Sequence, residues 1–170
     1  MRSQHILVPL DLTRGPASAL VFVQQLAAQS PICVTLLHVV ELNIFPPQPS
    51  INDQLCKESQ AALRKLAKLF FGTEQAARIV VRTGQPSEQI LAEATAAHVD
   101  LIVMCSPKSR SWLRLPGRRT TQRVSHLASC PTLVLPHPGN RGAGRALQEQ
   151  SKSGEEACFF GDPAAGAAAV

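Results

Sequence analysis

Five short apolar runs, separated by segments with helical periodicity, constrain the fold of this 170-residue chain more than any other feature. The runs are rich in Val, Ile and Leu, which is typical of strands that are buried on both faces of a sheet. Their alternation with longer amphipathic segments predicts a parallel sheet joined by right-handed crossovers. The five predicted strands are His5–Leu10, Ile32–Val40, Ala77–Thr83, Leu101–Met104 and Pro131–Leu135.

Four helices are predicted between these strands, because apolar residues there recur at spacings of three and four. They cover Ala17–Ser30, about Asn52–Phe71, a segment that opens at Gly84-Gln-Pro86, and a short segment capped by Thr120 or Thr121. This element order predicts one doubly wound α/β domain with helices on both faces of the sheet. In such sheets ligands bind beyond the carboxyl ends of the strands, where the direction of winding reverses.

The composition changes at residue 136. Residues 1–136 hold all the predicted strands and helices, whereas residues 137–170 are rich in Gly, Ala, Ser, Glu and Gln. We therefore predict a single domain over 1–136 and a flexible carboxyl-terminal tail over 137–170. The alternative for the tail is that Cys158-Phe159-Phe160 docks on the domain or on a partner.

Composition also narrows the class of protein. No run approaches the roughly 18 apolar residues needed to cross a bilayer, and the amino terminus enters a strand pattern directly, so we expect a cytosolic protein without a membrane partner. The five cysteines form no CxxC pair and the five histidines no HxxxH pair, so we expect reduced thiols and no metal site. His38 and His126 have no acid or nucleophile arranged around them, and we predict that the protein is not an enzyme.

Positive charge is concentrated in one part of the sequence. Residues 101–148 hold eight basic side chains and no acidic one, while the whole chain has a formal net charge of +5. A local patch of this kind favours an anionic partner at one place over general coating of nucleic acid. The alternative is a solvated surface, which is the commoner explanation of a charge cluster.

Several segments, in a fixed order, resemble the universal stress protein family. They are ILVPLDLT at 6–13, LLHVVE at 36–41, LIVM at 101–104 and TQRVSHLASCPTLVLP at 121–136. The resemblance covers about residues 3–136 and implies a five-stranded parallel sheet of order 3-2-1-4-5. It also implies that strands 1 and 4 are neighbours at the switch point, with Asp11 and the loop from Cys105 beside one crevice.

The resemblance assigns ligand-binding roles to particular positions. In nucleotide-binding members, the acid after strand 1 helps to hold the adenosine, and a residue at the end of strand 2 offers backbone groups to the base. A Gly-xx-Gly-(x9)-Gly-Ser/Thr loop wraps the phosphates. By position these roles fall on Pro9 and Asp11, on Val39, and on the loop that starts at Met104.

None of the glycine positions of that loop holds a glycine in this chain. The three glycines correspond to Cys105, Lys108 and Arg118, and the hydroxyl residue corresponds to Arg119. Glycines suit phosphate loops because they accept positive φ and let backbone N–H groups approach the anion. If the register of the comparison is shifted by one residue, Gly117 corresponds to the last glycine, but the first two glycines are still missing. The sequence therefore argues against the family's usual backbone cradle.

Basic side chains offer a substitute for the missing backbone donors. Lys108, Arg118 and Arg119, with Thr120 beside them, are candidates for binding phosphate oxygens directly, since arginine does this bidentately. The ligand implied is ATP or another phosphorylated small molecule, held weakly. The expected function is that of a stress-response regulatory or binding protein.

Other interpretations stay open at this point. Asp11 is equally well explained by ordering the turn that follows it, and Cys105 by packing as an ordinary thiol instead of a reactive one.

The second hypothesis for the whole protein is a homodimeric interaction module that binds no nucleotide. It would pair through the edge strand Thr132–Leu135 and contact an acidic protein through its basic loop and tail. Nucleic-acid binding is the least favoured hypothesis, and it predicts an affinity that falls steeply with salt.

Overall fold

The computed structural model describes residues 3–14, 18–41, 49–105 and 116–136 of the chain. The strands in these ranges are β1 (Gln4–Pro9), β2 (Ile32–Val40), β3 (Arg78–Thr83), β4 (Leu101–Cys105) and β5 (Thr132–Leu135). The α-helices are α1 (Ser18–Gln29), α2 (Pro49–Phe71), α3 (Pro86–Ala96) and α4 (Pro116–Leu127). Short 3-10 turns cover Leu12–Arg14 and Glu74–Ala76.

The five strands form one parallel sheet of order β3-β2-β1-β4-β5. This confirms the predicted doubly wound α/β fold. In register, β1 pairs with β2 from Gln4 opposite Ile32 to Pro9 opposite Leu37. On its other side β1 pairs with β4, with Ile6 opposite Leu101. The first strand of the chain is therefore the central strand of the sheet.

The sheet is covered on both faces, as the apolar strand sequences predict. Ile6 and Val8 of β1 belong to a core with residues of α1 and α2, whereas Leu7 between them belongs to a second core with residues of α3 and α4. All three side chains are fully buried. This explains why β1 shows no alternation of polar and apolar residues, since successive side chains point to opposite faces and both faces are covered.

Two helices begin earlier than the sequence predicts. Helix α2 starts at Pro49, three residues before Asn52, and α4 starts at Pro116, four residues before Thr120. The predicted cap at Thr120 or Thr121 is therefore wrong, because both threonines lie inside the helix. Proline is favoured at the first helical position, where its missing N–H costs nothing and its fixed φ already suits the helix.

Two glycines mark the places where regular elements end. Gly72 has φ +84°, and its N–H donates to the carbonyl of Lys68 at 3.0 Å, which confirms the predicted end of α2. Gly84 has φ +127°, and its N–H donates to the carbonyl of Val40 at 3.0 Å as the chain turns from β3 into α3. The predicted tail, residues 137–170, lies outside the described residues.

Candidate functional site

The candidate site is the carboxyl edge of the sheet between β1 and β4. After β1 the chain builds β2 and β3 on one side, and after α3 it builds β4 and β5 on the other side, so the winding direction reverses between β1 and β4. The helical connections that leave these two strands run on opposite faces of the sheet, since α1 packs in one core and α4 in the other. A crevice at such a point is where doubly wound domains bind ligands.

The residues expected at this edge lie on the strand ends that border it. Pro9 is the last residue of β1, and Met104 and Cys105 are the last two residues of β4. Val39 is the next-to-last residue of β2, which extends beyond β1 because Pro9 is paired with Leu37. Val39 and Met104 both contribute to the core beneath α3 and α4, so their side chains pack inside the domain.

Asp11 orders the turn that follows β1. One carboxylate oxygen, Oδ1, accepts hydrogen bonds from the backbone N–H of Thr13 at 3.0 Å and from the Thr13 hydroxyl at 2.6 Å. An Asp side chain that binds the backbone two residues on forms an Asx turn. Asp11 therefore orders the turn that follows it, which is the alternative to a role in ligand binding. Asp11 is nevertheless exposed, at the edge where the resemblance expects it.

His38 fixes the backbone just before Asp11, a contact that sequence reasoning missed. Its ring nitrogen Nδ1 lies 2.8 Å from the carbonyl oxygen of Leu10. A carbonyl can only accept, so Nδ1 carries the proton in this bond. The N–H of Leu10 donates to the carbonyl of Leu37 at 2.8 Å, so both backbone groups of Leu10 are held by β2. His38 therefore acts as a structural clamp at the rim of the crevice.

The only sequence signal for that clamp was a polar residue in an apolar strand. His38 interrupts the run Ile32–Val40 close to its carboxyl end. A half-buried imidazole at such a position requires a hydrogen-bond partner. The partner of the His38 ring is set by the pairing of β2 with β1, and the local sequence does not predict this pairing.

Cys105 is a packed thiol at the end of β4. Its Sγ accepts a hydrogen bond from the backbone N–H of Ala19 in the first turn of α1 at 3.3 Å. Burial raises the pKa of Cys105 above its ordinary value, and the hydrogen bonds from Ala19 and Ser18 oppose that effect only in part. The thiol is protonated at neutral pH, which favours the packing interpretation over the reactive one.

The basic residues expected around the phosphates are divided between two parts of the chain. Lys108 lies outside the described residues. Arg118 and Arg119 belong to the first turn of α4, which begins at Pro116, so they are helical residues and not loop residues. Thr120 follows in the same helix and is half-buried. The first turn of α4 contains no acidic residue.

The end of β5 is tied to the same edge of the sheet. The hydroxyl of Ser18, at the start of α1, donates to the carbonyl oxygen of Pro136 at 2.8 Å. With the Ala19 to Cys105 bond, α1 is thus joined at its first turn to the ends of β4 and β5. The described chain consequently ends next to the crevice.

Within the described ranges, no three His, Cys, Asp or Glu side chains are grouped in a way that could hold a metal ion. None of the helices there is both long enough and apolar enough to cross a membrane.

A family model and a sequence relative match this chain over most of its length. The model of the universal stress protein family matches residues 2–136. A universal stress protein of Synechocystis sp. is 30% identical over 132 residues, which cover 77% of this chain and 84% of that protein.

Solved structures of universal stress proteins have the same fold as this chain. The universal stress protein UspA from Lactobacillus plantarum matches with a TM-score of 0.60 and 22% identity, over 79% of this chain and 99% of that one. A universal stress protein from Archaeoglobus fulgidus, solved in complex with dAMP, matches with a TM-score of 0.51 and 18% identity over 79% of this chain and 98% of that one. At these identities the structures support the fold.

Proposed function

Because the chain belongs to the universal stress protein family, we propose that it is a stress-response regulatory or binding protein that holds a phosphorylated small molecule weakly. The ligand class is ATP or a related phosphate, and the site is the crevice between the carboxyl ends of β1 and β4. In this proposal the phosphates are held by arginine side chains of α4 and by Lys108 and not by a glycine loop. We also propose a cytosolic location, where its thiols stay reduced.

The observation that carries the proposal is the composition of the first turn of α4. Arg118 and Arg119 lie at the positive end of the helix dipole, without an acidic residue in that turn. A cation at the amino-terminal end of a helix is in general unfavourable, by roughly 0.3 to 1 kcal/mol. A bound phosphate would reverse the sign of this effect, since it interacts favourably with both the dipole and the guanidinium groups.

The position of the helix is the second support. Helix α4 follows β4, whose carboxyl end borders the switch point next to β1. The dAMP complex of the Archaeoglobus fulgidus relative supports a nucleotide as the ligand class, because the two proteins share this fold. The missing glycines argue for a weaker interaction than a backbone cradle would give.

The test is calorimetric titration of the purified protein with ATP and, separately, with inorganic pyrophosphate, after removal of any co-purified nucleotide. The variant Arg118→Ala/Arg119→Ala is expected to lose at least about tenfold in affinity, since each charge-assisted bond contributes about 1.5 to 3 kcal/mol. Arg64→Ala/Lys65→Ala is the matched control, because it removes the same charge from exposed positions on α2. Equal binding by both double variants, or no heat with either ligand, would reject the proposal.

We propose that the crevice binds without turnover. The carboxylate of Asp11 is engaged by the Thr13 N–H and hydroxyl, which fits a structural role better than that of a base. Phosphate release from ATP is expected to stay at the uncatalysed rate. Hydrolysis that disappears in Asp11→Asn while the fold is retained would overturn this.

The second candidate function, a homodimeric interaction module without a nucleotide, is favoured by one observation. Strand β5 is at the edge of the sheet, and Val134 on it is exposed. An exposed apolar edge strand is suited to pairing with another chain. Light scattering that shows a monomer at micromolar concentration would remove this candidate.

A further inference from the structure

An open apolar groove lies on the face of the domain formed by α1 and α2. Its volume is about 350 Å³, and it is bounded by Ala27 and Ala28 near the end of α1 and by Phe70 and Phe71 at the end of α2. Ile32, the first residue of β2, lines its floor. The groove is therefore at the amino end of the sheet, away from the crevice.

The α2 side of the groove is basic as well as apolar. Arg64 and Lys68 are exposed, and with Phe71 they follow the spacing of four and three that places residues on one side of a helix. Residues 61–76 contain a third basic residue, Lys65, and one acidic residue, Glu74, in the turn after α2. Leu69 in the same turn is 72% exposed. An acidic segment with bulky apolar residues would match this surface.

The chain itself contains one segment of that kind. Glu155 and Glu156 precede the pair Phe159-Phe160, in a part of the sequence that lies outside the described residues. Residues 149–162 hold four acidic side chains and one basic side chain. We propose that Glu155–Phe160 of the same chain docks in the groove, with the aromatic pair against the apolar lining and the carboxylates on the basic surface of α2.

The distance between the groove and the end of β5 permits this docking. The carbonyl of Pro136 is bonded to the hydroxyl of Ser18 at the start of α1. From Ser18 the groove residue Ala28 is ten positions further along the helix, which is about 15 Å at a rise of 1.5 Å per residue. Residues 137–154 number 18, and a fully extended chain of that length spans at most about 60 Å. The segment between Pro136 and Glu155 is therefore long enough to reach the groove.

The native Cys158, next to the aromatic pair, provides the test. Gln24 lines the groove, whereas Gln25 is exposed on the neighbouring side of α1. Gln24→Cys and Gln25→Cys are prepared in the 170-residue chain and oxidised with glutathione disulfide, which is reduced to two glutathione thiols as each protein disulfide forms. The disulfides are located by peptide mass mapping. We expect the bond from position 24 to Cys158 to form at least tenfold faster than the bond from position 25.

Additional changes separate the contributions to docking. In the Gln24→Cys background, Phe159→Ser/Phe160→Ser should reduce the rate to that of the Gln25→Cys control. Glu155→Gln/Glu156→Gln should reduce the rate at low salt and remove its salt dependence. Equal rates at the two positions, or no effect of the serine changes, would overturn the proposal. A bond that forms only between chains, at a rate proportional to concentration, would also overturn it by showing that the groove receives the tail of a second copy.

Discussion

Glu93 is a buried carboxylate, and two arginines from the edge strand hold it. Its side chain on α3 is only 1% exposed. Oε2 accepts from Arg82 at 2.5 Å and 3.2 Å, and Oε1 is 3.0 Å from Nη2 of Arg78. Both arginines are about half-exposed, so the cluster stands between the core and the solvent.

The Glu93→Gln change should destabilise the domain by about 2 kcal/mol, because it removes charge-assisted hydrogen bonds at a site that water does not reach. Urea denaturation gives the free energy of unfolding. The matched control is Glu88→Gln on the same helix, whose carboxylate is 58% exposed and 3.8 Å from Arg123. That change should cost less than about 0.5 kcal/mol, and equal losses in the two variants would contradict the role of burial.

His98 occupies a backbone conformation that suits glycine. It follows the end of α3 with φ +48°, and its N–H donates to the carbonyl of Thr95 at 3.2 Å. Replacing it with glycine should raise the free energy of unfolding by about 0.5 to 1 kcal/mol, because the left-handed strain exceeds glycine's entropy cost. Thermal unfolding should show a higher midpoint for His98→Gly than for His98→Ala. A midpoint no higher than that of the alanine variant would show that the strain is negligible.

At the scale of elements, the strands could be predicted from the sequence pattern, whereas the two strands that flank the crevice were implied only by the family resemblance. Strands that are covered on both faces are apolar at most positions, so they can be recognised in the sequence without knowledge of their neighbours. The start of α4 could not be predicted in the same way. Thr120 is a good capping residue by type, but Pro116 starts the helix one turn earlier.

Individual contacts at the candidate site were beyond sequence reasoning. The bond from His38 to Leu10 joins two strands whose pairing is fixed only by the whole sheet. The hydrogen bond from the Thr13 hydroxyl to Asp11 is local in sequence. The sequence predicted that Asp11 could order the turn that follows it, but it did not predict which atoms form the bond. Periodicity predicts which face a residue occupies, but it does not say which atom of a distant segment meets that residue.

The edge strand β5 gives a prediction about assembly. Val134 on β5 is 38% exposed, and Leu127 at the end of α4 is 60% exposed. Val134→Lys should convert the proposed dimer to a monomer at micromolar concentration, since a lysine at an edge opposes strand pairing. Light scattering measures the mass directly. Leu69→Lys is the control, because it changes an exposed leucine on α2 that is remote from β5, and it should leave the dimer intact.

At the scale of the whole molecule, two thiols make stability depend on pH. Burial raises the pKa of Cys105, and burial together with the negative charge of Asp100 raises the pKa of Cys130. In the unfolded chain these thiols lose their protons near their ordinary value, 9.0, whereas the folded protein retains them to higher pH. The folded state then binds more protons, so the free energy of unfolding should fall as pH rises above about 9.

Urea denaturation at pH 7.5, 9 and 10 tests this dependence. The decrease between the lowest and highest pH should be smaller in Cys105→Ala than in the unchanged chain. Cys33→Ala is the control, since it removes a thiol from an exposed position. A pH dependence that is identical in all three proteins would assign the effect to other groups.

The central place of β1 has a consequence for the order in which the protein is made. Of the five strands of this sheet, the one synthesised first is the middle strand. Each later strand adds to an outer edge, first β2 and β3 on one side and then β4 and β5 on the other. No completed strand pair has to open to admit a later one. A growing chain can therefore add each strand to the sheet in the order of synthesis, and the bond from Ser18 to Pro136 closes only when the last strand has emerged.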